Sequence, residues 1–195
     1  MEELQKTKGE IRQDISGIFS SLPNAEHQRK TKAIEDRLFE FANFLESSIV
    51  LLYVNGPYEA PTNAIIKRTH GIGKITVLPA FKPEKHEMSL MKIDDFPACM
   101  VPGPRNVFEP DPAQCKMVPI ESIDIAIIPG VAFDEKGGRI GTGEGYYDRL
   151  MPKLSVTTRK VALALEDQIV PQVPIESHDK YVDIIITDRR IIYKI

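Results

Sequence analysis

Ile49-Val-Leu-Leu-Tyr-Val-Asn-Gly-Pro57 is a continuous apolar run that ends in three turn-forming residues. An apolar run with no polar alternation reads as a strand buried on both faces, the kind found in parallel sheets covered by helices on both sides. The same pattern recurs along the chain. Lys74-Ile-Thr-Val-Leu78 is a strand closed by Pro79, and Ile123-Asp-Ile-Ala-Ile-Ile128 is another that ends at Pro129-Gly130. Lys160-Val-Ala-Leu-Ala-Leu165, Val182-Asp-Ile-Ile-Ile-Thr187 and Arg190-Ile-Ile-Tyr193 complete the set, with Asp188-Arg189 as the turn between the last two.

Helical periodicity fills the gaps. Residues about 2–20 carry Leu4, Ile11, Ile15, Ile18 and Phe19 near a 3.6-residue period, and Leu22-Pro23-Asn24 interrupts them. A second helix is predicted over about 25–46, with Ile34, Leu38, Phe41 and Leu45 on one side. Thr62 is placed to cap a helix through about Thr69, which Gly71 and Gly73 end. Tyr146 to about Leu154 is predicted as a helix limited by Pro152. Eight prolines between Pro79 and Pro119 predict loops and short strands, some at a sheet edge. Apolar strands alternating with helices give an α/β fold: one domain over 1–195, with an open, mostly parallel sheet flanked by helices and a short C-terminal antiparallel hairpin. Ligands of such sheets sit beyond the carboxyl ends of the strands, so the loops after Val54, Leu78, Ile128, Leu165 and Thr187 are candidate site walls.

Composition narrows the classes. The chain has 195 residues, 42% hydrophobic and 27% charged, with a formal net charge of −3. That balance argues against a general nucleic-acid binder. No apolar run approaches the roughly 20 residues of a membrane span, and the polar start after Met1 carries no secretory signal. Cys99 and Cys115 form no CxxC pair and are expected as reduced thiols of a cytoplasmic protein.

The densest chemistry lies in Gly138-Arg-Ile-Gly-Thr-Gly-Glu-Gly-Tyr-Tyr-Asp-Arg-Leu150, which holds four of the twelve glycines. Gly141, Gly143 and Gly145 allow left-handed backbone and close approach of peptide N–H groups to an anion, with a helix start following. Arg139 and Arg149 supply fork-like donors for phosphate oxygens. Asp148 is a carboxylate of the kind magnesium accepts. Tyr146 and Tyr147 offer flat faces and hydroxyls. No Gly-Lys-Ser/Thr follows, and the glycine spacing is not that of a dinucleotide fold. These residues alone suit a magnesium-bound nucleoside phosphate, or else a flexible turn whose rings pack and whose charges are solvated.

Taken with Ile128-Pro-Gly-Val-Ala-Phe-Asp134 and its glycine pair, the segment Arg139–Arg149 resembles the signature of the 5-formyltetrahydrofolate cyclo-ligase (5,10-methenyltetrahydrofolate synthetase) family. Other matches follow in register: Lys8 and Arg12; Tyr53 with Glu59 and Thr62; Leu78-Pro79 with Met88; Phe108-Glu109-Pro110; then Gln168, Pro174, His178-Asp179, Val182-Asp183 and Thr187. The resemblance implies ATP- and Mg²⁺-dependent closure of 5-formyltetrahydrofolate to 5,10-methenyltetrahydrofolate with release of ADP and phosphate, by a monomer or weak homodimer with no membrane or nucleic-acid partner. It implies an ATP site of Lys8, Arg12, Arg139, Ile140, Gly141, Thr142, Gly143, Glu144, Gly145, Tyr146 and Tyr147. The folate would meet Val54, Glu59, Thr142, Gly143, Glu144, Gly145 and Tyr146. Asp148 and Asp183 would serve the metal, and Arg139, Tyr146 and Asp148 would be the catalytic set. His178 reads as a support for Asp179 and its loop.

Two positions depart from that pattern. Glu144 stands where glycine or a basic residue is usual and brings negative charge toward phosphates. Ala60-Pro61 stiffens the loop after Glu59. A diverged folate or nucleotide binder without turnover, and a sugar-phosphate or CoA-type enzyme on a similar scaffold, are the alternatives.

Overall fold

The computed structural model describes residues 6–194. Leu4, and the part of the first predicted helix around it, lie outside the described residues. Helix α1 (Lys8–Ser21) starts at a capping box in which Thr7 and Glu10 satisfy each other's backbone N–H groups. Its buried Ile11 and Ile15 pack on Val131, Ala132, Ile140 and Val173, a small apolar cluster apart from the main core. Lys8 and Arg12 sit on the same helical face by the i, i+3, i+4 spacing, so burying the isoleucines carries both cations toward the glycine segment.

The second predicted helix divides in two. Helix α2 (Asn24–Glu40) stops at Phe41, whose extended backbone also caps α3 (Ala42–Glu46). The break shifts the helical phase, so Phe44 is fully buried while Leu45, expected inside, is 54% exposed. Strand β1 (Ile49–Leu51) is central, and α4 (Asn63–Gly71) follows it. Thr62 occupies the N-cap position of α4 but does not cap through its side chain. Its hydroxyl donates to the Tyr53 carbonyl at 2.5 Å instead, while the Tyr53 hydroxyl donates to the Ala60 carbonyl at 3.0 Å. Together they brace the loop that carries Glu59.

Strand β2 (Ile75–Lys82) runs through Pro79, which the sequence places at its end. It pairs antiparallel with β3 (Glu87–Lys92), with Pro79 opposite Leu90. The alternation of the ladder turns the Pro79 nitrogen away from β3 and toward the β1 side, so its missing N–H removes no bond from the β2–β3 ladder. On that same side the Phe81 N–H finds the Glu109 carboxylate at 3.1 Å. Glu109 belongs to a separate hairpin of β4 (Met100–Pro102) and β5 (Phe108–Pro110), and β6 (Lys116–Met117) closes the sheet edge beside β3. Cys99 and Cys115 are both buried and free, and burial pushes the Cys115 thiol up to about 12.

Strand β7 (Ile125–Ile128) is followed by a hairpin the sequence did not reveal, β8 (Ala132–Phe133) with β9 (Arg139–Ile140). The buried Asp134 carboxylate holds it by accepting from the Lys136, Gly138 and Val173 N–H groups. Helix α5 (Tyr146–Leu150) gives way to a 3₁₀ turn at Met151–Lys153, where Pro152 stands. Strands β10 (Arg159–Ala164), β11 (Ile184–Thr187) and β12 (Ile191–Tyr193) finish the sheet.

The eight-stranded sheet has the order β12-β11-β10-β7-β1-β2-β3-β6. Its five inner members from β11 to β2 are parallel, and β12 pairs antiparallel with β11 as the expected C-terminal hairpin. After β1 the chain builds outward through β2. From β7 it builds in the other direction, so the topological switch point lies between β1 and β7. That is where a ligand crevice is expected in an open α/β sheet.

Gln168 ties the two loops at this crevice together. It is fully buried, its side-chain N–H groups donate to the carbonyls of Tyr58 (3.0 Å) and Val131 (2.9 Å), and its oxygen accepts from Leu165 N–H at 2.8 Å. Gln168→Leu keeps the volume but orphans these buried groups. We expect a loss of about 3 kcal/mol in urea unfolding with an unchanged slope. A loss below about 1 kcal/mol would mean that the loops are held by packing alone.

Candidate active site

The site is built on a buried guanidinium. Arg139 on β9 is 5% exposed, and it donates to the Pro129 carbonyl at 3.0 Å and to the Asp148 carboxylate at 2.8 Å. Asp148 also accepts from the Lys180 N–H at 3.2 Å. These bonds tie both ends of the glycine segment to the loop after β7. Between them Gly143 has φ +108° and Gly145 has φ +68°, conformations that residues with a Cβ rarely adopt. Gly145 is the N-cap of α5, a helix of five residues. So short a helix has little macrodipole, and an anion placed here would be met by the loop N–H groups and the side chains instead.

Around this segment lies a cavity of about 370 Å³ lined by Lys8, Arg12, Arg105, Arg139 to Asp148, Glu176, His178 and Asp179. Every residue expected at the nucleotide is therefore brought to one place. Arg12 donates to the Gly141 carbonyl at 2.8 Å. Lys8 meets Asp179 at 2.6 Å and Glu176 at 2.9 Å. Burial pushes the Lys8 ammonium down, but these two carboxylates outweigh it and leave it raised. His178 is exposed, 3.6 Å from Asp179. The cavity wall holds four cations (Lys8, Arg12, Arg105, Arg139) and four carboxylates (Glu144, Asp148, Glu176, Asp179), so it is close to neutral.

Val54 and Glu59 do not line this cavity. They line an adjoining slot with Tyr53, Pro79, Phe81, Val107 and Pro129, and Arg105 and Tyr147 are walls of both spaces. The slot holds about 10 Å³, at or below what a single water needs. Glu59 is 6% exposed and accepts from the Gly56 N–H at 2.7 Å. Burial raises its carboxyl above the usual range, against the pull of that bond and of Arg105 and Arg139. The Tyr147 hydroxyl is buried without a partner, and burial followed by the Glu59 charge pushes its pKa up. Tyr146 packs edge-on against Phe81 with ring centres 4.9 Å apart. It also borders a groove of about 510 Å³ whose wall includes Met88, Leu90 and Leu150 together with the exposed Lys82, Lys85 and Lys153.

One expected residue is not brought to the others. Asp183 precedes β11 at its amino end, where its carboxylate accepts from the Lys160 N–H at 2.9 Å and meets the Lys160 ammonium at 3.0 Å. It does not line the cavity, so Asp148 and Asp183 do not form one ligand set. No group of three or more His, Cys, Asp or Glu side chains suited to a metal occurs among the described residues. The fit to magnesium is that of a single carboxylate, Asp148, whose oxygens keep free lone pairs beside a phosphate-sized space.

Arg105 is the site residue that sequence reasoning passed over. It stands at the tip of the β4–β5 hairpin and donates to Glu144 at 2.5 Å and to the Thr142 hydroxyl at 3.0 Å. The signal available was Pro102-Gly-Pro-Arg-Asn106, a turn-rich stretch with one arginine inside it.

Among the described residues no helix is long and apolar enough to cross a membrane. The profile of the 5-formyltetrahydrofolate cyclo-ligase family matches residues 4–188. A probable 5-formyltetrahydrofolate cyclo-ligase of Caenorhabditis elegans is 30% identical over 95% of each chain. The 5-formyltetrahydrofolate cyclo-ligase of Mus musculus is 24% identical over 92% of this chain and 93% of its own. The solved 5,10-methenyltetrahydrofolate synthetase of Aquifex aeolicus superposes with a TM-score of 0.83 at 29% identity, covering 96% of this chain and 92% of that one. The glycine segment, the α/β sheet with its crevice at the switch point and these relatives agree: the chain belongs to the 5-formyltetrahydrofolate cyclo-ligase family.

Proposed function

We propose that this enzyme closes 5-formyltetrahydrofolate to 5,10-methenyltetrahydrofolate in the cytoplasm, consuming ATP and releasing ADP and phosphate. The observation that carries this reading is the pair of adjoining spaces, one walled by Lys8, Arg12, Arg139 and the glycine loop, the other by Glu59. A formyl oxygen is a poor leaving group, which is why ring closure needs ATP. In the proposed sequence the formyl oxygen attacks the γ-phosphorus and ADP leaves. N10 then adds to the formyl carbon, and the C–O bond breaks to release phosphate as the N10 proton is lost. The protein's part is to position the two reactants and to neutralise charge.

Lys8, Arg12 and Arg139 are assigned to the phosphates and Glu59 to the ring N–H groups of the pterin, a paired carboxylate contact. The slot must widen to admit that ring. The groove beyond Tyr146 then offers the aminobenzoyl-glutamate portion an apolar wall at Met88, Leu90 and Leu150 and cationic partners at Lys82, Lys85 and Lys153. A near-neutral cavity is a poor host for a naked triphosphate, and magnesium, when bound, offsets the charge on the phosphate oxygens. Asp148 is the residue assigned to hold it.

Mixing the protein with 5-formyltetrahydrofolate, Mg²⁺ and ATP should give an ATP-dependent rise of methenyl absorbance in the near ultraviolet. A folded protein with no such rise rules the reaction out. Asp148→Asn should lower turnover on the order of a hundredfold and raise the Mg²⁺ concentration for half-maximal rate. An unchanged Mg²⁺ requirement would leave Asp148 as a partner of Arg139 only.

Glu59→Gln should raise KM for 5-formyltetrahydrofolate on the order of tenfold. It should also change stability with pH. The raised folded-state pKa means that Glu59 supports the fold fully below its ordinary value of 4.5 and that this support is lost as pH rises through the folded value. The variant should therefore gain on the wild type as pH rises from 4.5 toward neutrality, read as the difference between their urea midpoints. Parallel midpoints over that range would contradict the burial argument.

A further inference from the structure

Arg105 is the one residue of the β4–β5 hairpin that lines the cavity of the glycine loop, and it is a wall of the Glu59 slot as well. The hairpin does not float. Glu109 on β5 fixes its base to the Phe81 N–H of β2, and the Gly103 N–H donates to the Val107 carbonyl at 2.9 Å to close its tip. The Arg105 guanidinium carbon lies 4.6 Å from the centre of the Phe81 ring and 5.7 Å from that of Tyr146. A cation over aromatic faces is oriented without being consumed as a hydrogen-bond donor. Its Nε and one terminal nitrogen bond Glu144 and Thr142, both on the glycine loop, and its remaining donors have no partner among the described residues. The Arg105 side chain is 19% exposed and that of Glu144 is 46% exposed, so the acid is the freer member of the pair.

We propose that Arg105 binds the terminal phosphoryl group of the nucleotide, and that Glu144 holds its guanidinium in register until that group arrives. This rests on the nucleotide reading given above. In that reading the reacting phosphorus must lie where the phosphate cavity meets the pterin slot, because the formyl oxygen reaches it from the slot. Arg105 and Tyr147 are the two side chains common to both spaces, and Arg105 is the charged one. The glycine loop itself brings an acid, Glu144, toward this junction. Lys8, Arg12 and Arg139 wall only the phosphate cavity, so the cation at the junction itself comes from the hairpin. The exchange is favourable in kind: Arg105 gives up a half-exposed carboxylate for a phosphate oxygen in a more enclosed place, where a charged hydrogen bond is stronger. The same exchange accounts for the closed slot, since a side chain tied to Glu144 walls it off and one that turns to the nucleotide opens it.

The test is binding, without turnover, by calorimetry on the full chain with Mg²⁺ and either ADP or the non-hydrolysable β,γ-imido analogue of ATP. In Arg105→Ala the analogue should bind more weakly on the order of tenfold to a hundredfold, while ADP stays within about twofold of wild type. Arg105→Lys should recover part of the loss, as a point charge without the fork. Glu144→Gln should bind the analogue more tightly than wild type, because a competing carboxylate is gone. Arg105→Gln, which keeps the stem over Phe81, carries the test if the alanine variant does not fold. Equal losses for ADP and analogue would make Arg105 a structural clasp and overturn the assignment, as would no loss for either. Weaker analogue binding in Glu144→Gln would overturn the holding role. If wild type binds neither nucleotide, the parent reading fails, and this one falls with it. If wild type binds both and the Arg105 variants match it, Arg105 alone is wrongly assigned.

Discussion

A guanidinium taken out of water needs fixed partners, and at this site Arg139 imposes that requirement on everything around it. Its bonds reach the Pro129 carbonyl at the end of β7 and the Asp148 carboxylate in the first turn of α5. The segment between Arg139 and Asp148 must return on itself within that span, which is why left-handed glycines occur at 143 and 145. Arg12 then takes the Gly141 carbonyl, so the loop is fixed at a third point by α1. Breaking a buried pair leaves an uncompensated charge and costs about 3–5 kcal/mol. The loop geometry and the stability of this end of the molecule are therefore one problem.

The inner strands were legible because burial on both faces leaves an unmistakable mark: Val50 to Leu52, Ile125 to Ile128 and Val161 to Leu165 have no polar residue to confuse the period. Ends and edges were less legible. Pro79 reads as a terminator unless one knows that its nitrogen faces away from the β3 partner, which is a fact about a neighbouring strand. Phe41 looks like one more residue of an apolar stripe, and only the structure shows that the helix divides there and that Phe44 then turns in against Phe39, with ring centres 4.9 Å apart. In the site, the residues of the glycine segment announced themselves by composition. Asp183 did not disclose that Lys160 claims it, since their contact spans adjacent parallel strands. Arg105 was invisible for the same reason, since its contacts with Thr142 and Glu144 join segments far apart in the chain, while the β8–β9 hairpin escaped because its strands are only two residues long.

Electrostatics explains why these contacts matter to chemistry. With four cations opposing four carboxylates, the cavity is prepared for an exchange of partners more than for simple attraction. Lys8 is engaged by Asp179 and Glu176, Arg139 by Asp148, and Arg105 by Glu144. On the proposed reading, a phosphate chain entering this space would compete with each carboxylate in turn. Pre-oriented donors lose little entropy in that competition, because the acids have already fixed where the cations point.

Unsatisfied groups point to the same place. Four buried side-chain polar atoms among the described residues have no hydrogen-bond partner, and two of them, Arg139 Nε and Tyr147 Oη, belong to this site. A third cost lies beside them in Glu59, held in a closed slot that disfavours its charge. Folding alone gives no reason to collect such defects, since each destabilises the free protein by about 1–3 kcal/mol. Their concentration where the loop after β1 meets the loop after β7 is the pattern expected when a bound ligand supplies the missing partners. The other two orphans, Thr69 on α4 and Thr76 on β2, lie on elements remote from the glycine segment in sequence and outside both the cavity and the slot. That contrast separates a site from ordinary imperfection: strain with no ligand-sized space beside it has no such outlet, and strain at Arg139, Tyr147 and Glu59 does.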